Sequence, residues 1–145
     1  MLSDPRTFDE HVRSLCEQDP RFTRDTYEFC FEVLDFTMRS IAQNDDPREK
    51  FPVTRHVSAR ELLDGLRDYA LQEFGPMARL TLKRLGIASC GDLGDVVFNL
   101  VNTGLLVKQS RDKREDFNAG YDFETAFSKP FRPASLRKQN KRNPQ

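Results

Sequence analysis

His56 and Cys90 are the residues of this chain whose chemistry suits catalysis. His56 follows Arg55, with Glu61 and Arg67 close behind, so an imidazole that titrates near neutrality stands near a carboxylate, the pairing that general acid–base work needs. No nucleophile accompanies it in sequence. The ordinary reading of Arg55, His56, Glu61 and Arg67 is a polar junction whose side chains satisfy backbone groups or pair with one another. Cys90 falls near the expected start of a helix, where the dipole lowers a thiol pKa and makes a nucleophile. Cys16 and Cys30 lie on apolar helical faces and read as buried structural residues. The three cysteines with His11 and His56 match no zinc spacing. Asp112, Glu115 and Asp116, interrupted by Lys113 and Arg114, lack the order of a calcium loop and read as a solvated tip. Gly91-x-x-Gly94 lacks the third glycine and preceding strand of a nucleotide fingerprint. No metal or cofactor is expected, and the chain reads as a non-enzyme.

The chain has 145 residues, 37% of them apolar and 32% charged. A chain of that length buries roughly 70% of its unfolded surface, enough for one core without staples. Three dispersed cysteines with no C-x-x-C pair argue against a disulfide framework and for a reducing compartment. No apolar run is long enough to span a bilayer, and Asp4 stands where a secretory leader carries basic residues, so a cytoplasmic location without membrane contact is expected.

A net charge of zero conceals an uneven distribution. Residues 128–145 hold Lys129, Arg132, Arg137, Lys138, Lys141 and Arg142 and no acid, leaving 17 of the 23 basic residues against 23 acids in the body, a net of −6. The acidic body repels nucleic acid, whereas the tail suits RNA or a ribosome through counterion release. No aromatic follows Phe131, so base stacking adds nothing. The tail carries too little apolar content to order alone and is expected to be disordered; the same composition also serves merely to solubilise.

The elements that must position these groups are mainly helical. Phe8, Val12, Leu15 and Cys16 share one face of a helix from Asp4 to Gln18, capped by Asp4 and Pro5. Tyr27, Phe31, Leu34, Met38 and Ile41 mark a second, over about Thr23 to Ala42, with Phe29 and Phe36 partly off that face. The polar run Gln43 to Lys50 separates this two-helix arm, residues 1–44, from the rest of the chain. Phe51, Val53 and Val57 alternate as a short strand. Ser58 and Glu61 form a capping box for a helix carrying Leu62, Leu63, Leu66, Tyr69, Ala70 and Phe74. Gly75-Pro76 opens the next, assigned Met77, Leu80, Thr81, Leu82 and Leu85 as its inner residues and ended by Gly86. Ser89 with Asp92 caps a last helix with Leu93, Val96, Val97, Leu100 and Val101, ended by Gly104. Gly65 inside a helix reads as tight helix–helix packing. Residues 105–117 look like a hairpin with a charged tip.

Strand, three helices and hairpin is the order of a winged helix. The expected fold is therefore α+β: a winged-helix-like domain over 51–127, preceded by the two-helix arm and followed by the tail at 128–145. The candidate recognition helix, Cys90 to Thr103, carries no Lys or Arg and exposes Asp92, Asp95, Asn99 and Asn102, two of them carboxylates that phosphates repel. Sequence-specific DNA binding is not expected. A protein partner is, on a surface combining Asp92, Asp95 and Asn99 with Asp112 and Asp116 of the hairpin.

The stretches Arg55-His56-Val57-Ser58, Glu61-Leu62, Gly65-Leu66-Arg67 and Phe74-Gly75-Pro76 resemble an uncharacterised bacterial family of small cytoplasmic proteins of about 145 residues, designated only by a locus tag. So do Gly91-Asp92-Leu93-Gly94-Asp95-Val96-Val97-Phe98-Asn99-Leu100, Gly104-Leu105-Leu106, Lys108, Asp112 and Asp116-Phe117. The resemblance spans about Asp19 to Phe127 and implies no activity, since the family has none established. The expected function is a non-catalytic adaptor with a winged-helix-like body. An RNA- or ribosome-associated factor using the tail is the alternative, and a small enzyme centred on His56 or Cys90 the second alternative.

Overall fold

The computed structural model describes residues 8–44, 57–106 and 113–131. Five α-helices follow in order: α1 (Phe8–Gln18), α2 (Arg24–Asn44), α3 (Ala59–Phe74), α4 (Ala78–Arg84) and α5 (Cys90–Thr103). Short turns of other helical types complete the chain at Gly75–Met77, Arg114–Phe117, Glu124–Ser128 and Lys129–Phe131.

Local sequence explains the helix ends. Ser58 Oγ accepts from Glu61 N at 3.1 Å and Glu61 Oε1 accepts from Ser58 N at 3.0 Å, so two early amides of α3 are satisfied reciprocally, as the spacing predicts. Ser89 Oγ accepts from Asp92 N at 3.3 Å, while the Asp92 carboxylate reaches back to Ala88 N at 2.9 Å and caps α5. Gly104 closes α5 in the left-handed conformation, φ 88°, which a side chain there would oppose.

One core joins the elements. Val12 and Leu15 of α1, Tyr27, Cys30 and Val33 of α2, Leu63 and Leu66 of α3, Leu82 of α4, and Leu93, Val96 and Leu100 of α5 are all buried in it. Phe117, Phe123 and Phe127 close it from the C-terminal side. α2 crosses α3 at Gly65, where a Cβ would overlap Thr37 Oγ1, so the two backbones approach as only glycine permits. Thr37 is buried without penalty because its hydroxyl donates to Val33 O at 2.7 Å. The off-face rings of α2 are covered as well: Phe29 stacks on Phe74 at 5.8 Å, and Phe36 meets Tyr69 at 5.3 Å.

The α+β expectation is overturned. Among the described residues there is no strand, and the fold is helical throughout. Where the charged tip of the hairpin and the first residue of its returning strand were expected, Arg114–Phe117 forms a 3-10 turn, with Lys113 N donating to Asp116 Oδ2 at 3.1 Å. The physical reason lies in the pattern. After Phe117 the chain runs Asn118, Ala119 and Gly120, all exposed, so the expected returning strand has no alternating apolar face to bury. The following aromatics, Tyr121, Phe123 and Phe127, instead pack on one another, Phe123 against Phe127 at 4.9 Å, through a π-helical turn at Glu124–Ser128. The expected strand at 51–57 falls, but for half-buried Val57, outside the described residues, as do residues 107–112 of the expected hairpin.

Candidate functional site

The residues expected to face a partner are used inside the fold. Asp95 of α5 accepts from Arg114 Nε at 2.5 Å on one carboxylate oxygen and from Arg21 Nη1 at 3.1 Å on the other. Arg21 also holds Asp19 at 2.8 Å, and Arg114 Nη1 donates to Asn118 Oδ1 at 2.8 Å. Asn99, one turn beyond Asp95, donates from Nδ2 to Asp19 Oδ2 at 3.1 Å and to the Tyr27 hydroxyl at 3.2 Å. The Arg21 guanidinium, with Asn99, holds the Asp19 carboxyl well below the usual carboxylate range, and the Asp19 and Asp95 carboxylates hold the Arg21 guanidinium charged. Burial pushes the Tyr27 hydroxyl up. Paired charges of this kind clamp the elements they join.

The clamp seats a segment in a notch. A Cβ at Gly94 would fall 2.8 Å from Phe117 Cβ, and one at Gly91 3.2 Å from Arg114 Nη2. The two glycines of Gly91-x-x-Gly94 thus make room for residues 114–118 on α5, so a segment of the same chain occupies the face a recognition helix would present. Asp92 serves as a cap of α5 and Asp116 as the cap of its own turn. Asp112 lies outside the described residues. The structure joins Asp95 and Asn99 into one network and does not gather them with Asp116. The adaptor built on a winged-helix-like body loses its structural basis with the wing.

The other sequence candidates separate similarly. Glu61 is spent in the α3 cap. Arg67 pairs with Asp68 at 3.1 Å and lies 5.9 Å from the centre of the Tyr121 ring. Arg55 and His56 lie outside the described residues. Cys90 is buried, its Sγ donating to Tyr121 O at 3.4 Å and lying 2.6 Å from where a Gly120 Cβ would stand. Burial pushes its thiol up, against the expectation that the helix start lowers it. Cys30 is driven the same way, to about 12. Lys129 is exposed, and Arg132, Arg137, Lys138, Lys141 and Arg142 lie outside the described residues. Among the described residues no group of three or more His, Cys, Asp or Glu side chains is arranged to hold a metal ion.

The surface that sequence reasoning missed is on α4. Ala78 and Leu82 are fully buried, so Leu80, two residues from each, points outward and is 43% exposed. Met77, just before the helix, is 52% exposed. Lys83 and Arg84, one turn further on, are exposed and make no ion pair among the described residues. Arg79 turns the other way, to Ser128 Oγ at 3.3 Å and Glu124 at 3.7 Å. A Cβ at Gly75, in the turn that precedes α4, would meet nothing within 4 Å. The signal was present in the spacing. Leu80 and Leu82 are about 200° apart on a helical wheel, and a seven-residue helix at the edge of a core buries one of them.

Comparison with protein-family models, with curated proteins and with solved structures finds no match to this chain. Among the described residues no helix is long and apolar enough to cross a membrane.

Proposed function

We propose that this chain is a helical docking domain that holds a protein partner on the outer face of α4. The observation that carries the reading is the pair Met77 and Leu80, two large apolar side chains exposed one turn apart. The large aromatic side chains of α2 and α3 are covered or stacked, and the other large apolar side chain exposed among the described residues, Phe131, stands singly in the last turn, so Met77 and Leu80 are set apart as a pair. The reading departs from the α5 surface expected from sequence, because Asp95 and Asn99 are committed to internal partners. A cytoplasmic location accords with it, since Cys30 and Cys90 are buried as free thiols.

The test compares partner capture by the full chain with capture by a Met77→Asp/Leu80→Asp variant and by a Glu17→Lys control on the exposed side of α1. Both variants change exposed side chains, so both are expected to melt like the parent. The α4 variant loses the captured protein and the control keeps it. Equal capture by the α4 variant contradicts the reading.

A further inference from the structure

Building on that docking reading, we propose that the occupant of the Met77–Leu80 face is an acidic amphipathic segment of another protein, with bulky apolar side chains one turn apart and Asp or Glu beside them. From Gly75 to Gly91 the chain carries Arg79, Lys83 and Arg84 and no acid, although the body as a whole is acidic. Many cations of the fold are paired: Arg24 with Asp9 and Glu28, Arg39 with Asp35, Arg60 with Asp64, and Arg67 with Asp68. Arg13, Lys113 and Lys129 also lack an ion pair among the described residues, but none of them shares a helical face with Met77 and Leu80. Lys83 and Arg84 are left unpaired among the described residues, next to the exposed apolar pair. Cations in the last turn of α4 complement its dipole, which accounts for their charge but not for Leu80 and Met77 beside them. An acidic apolar segment satisfies both features at once. A nucleic acid satisfies only the charge, because a phosphate backbone gains nothing from Met or Leu, and no aromatic side chain lies between Phe74 and Phe98 on which a base could stack. A lipid surface is poorly served by two apolar side chains on a seven-residue helix.

The test is fluorescence anisotropy with the full chain and labelled helical peptides. One peptide carries Leu at i, i+3, i+4 and i+7 with Glu at the remaining positions, a second has the same composition with its leucines scattered, and a third replaces every Glu by Lys. The striped Glu peptide binds, the scattered one binds at least about tenfold more weakly, and the Lys peptide does not bind. Leu80→Asp weakens the striped Glu peptide by about tenfold or more. Lys83→Glu/Arg84→Glu abolishes binding of the Glu peptide and creates binding of the Lys peptide, a reversal that misfolding cannot produce. Thermal melts confirm that each variant stays folded. The inference is overturned if no striped peptide binds, if scattered and striped peptides bind alike, if the charge reversal fails, or if poly(U) RNA, phosphatidylserine vesicles or a second copy of the chain takes the same face in preference. A chain that captures a partner through Met77 and Leu80 yet does not prefer the Glu peptide loses this inference and keeps the docking face. A Met77→Asp/Leu80→Asp variant with undiminished capture loses both.

Discussion

Asp95 receives Arg114 on one carboxylate oxygen and Arg21 on the other, so a single side chain of α5 ties the α1–α2 turn to the segment that follows Lys113. The same carboxylate would stand on the reading face of a recognition helix. Here it serves as a clamp, and with Gly91 and Gly94 it seats Phe117 against α5.

Loss of that clamp is expected to loosen a defined segment. Asp95→Ala removes two ion pairs whose members are a quarter to a half exposed, for a cost of about 1–2 kcal/mol in urea unfolding. Hydrogen exchange rises at residues 114–118 and not in α3. Unchanged protection at 114–118 contradicts the clamp.

Acid stability tests the same network from the other side. The Asp19 carboxyl has an ordinary value of 3.8 and is lowered in the fold, chiefly by Arg21. A lowered carboxylate stabilises the fold fully above its ordinary value, and that contribution drains away as pH falls below it. Unfolding free energy measured from pH 6 down to pH 2 therefore falls less steeply for Asp19→Asn than for the parent below about pH 4. Parallel curves contradict the pairing.

The α2–α3 crossing gives a coupling test. Gly65→Ala places a methyl on Thr37 Oγ1 and is expected to destabilise by about 2–4 kcal/mol. Thr37→Ala removes the obstructing hydroxyl, so the double variant is more stable than the two single costs added together, by about 1–2 kcal/mol. Additive costs place the obstruction elsewhere.

Thiol reactivity separates the cysteines. Burial raises all three thiols, but Cys16 is half-buried whereas Cys30 and Cys90 are buried. A thiol reagent at neutral pH labels Cys16 first, and Cys30 and Cys90 react only on unfolding, as read by mass spectrometry of the labelled peptides. Rapid labelling of Cys90 in the folded chain restores the nucleophile that the helix start suggested.

What was legible in the sequence was local. The Ser58–Glu61 box, the Ser89–Asp92 cap and the stop at Gly104 each need residues within one turn, and their chemistry is the same in any fold. Gly65 was legible as a packing glycine, though not its partner Thr37, because that contact joins separate helices. The roles of Asp95 and Asn99 were hidden for the same reason: Asn99 meets Asp19 and Tyr27 across 80 and 72 residues of chain. The hairpin was misread because residues 105–117 show apolar, charged and aromatic blocks in the order of a wing, and block order does not distinguish a strand from a 3-10 turn that buries one ring. The α4 face was misread because every apolar residue of a short helix was assigned inward, while Ala78 and Leu82 already fill the inner arc.

The most direct test of the docking face is site-specific photo-crosslinking from position 80, with a second crosslinker at position 35 on α2 as reference. A discrete protein adduct from position 80, lost on Met77→Asp and absent from position 35, is the expected result. An adduct from position 35 alone, or none from position 80, contradicts α4 as the working surface.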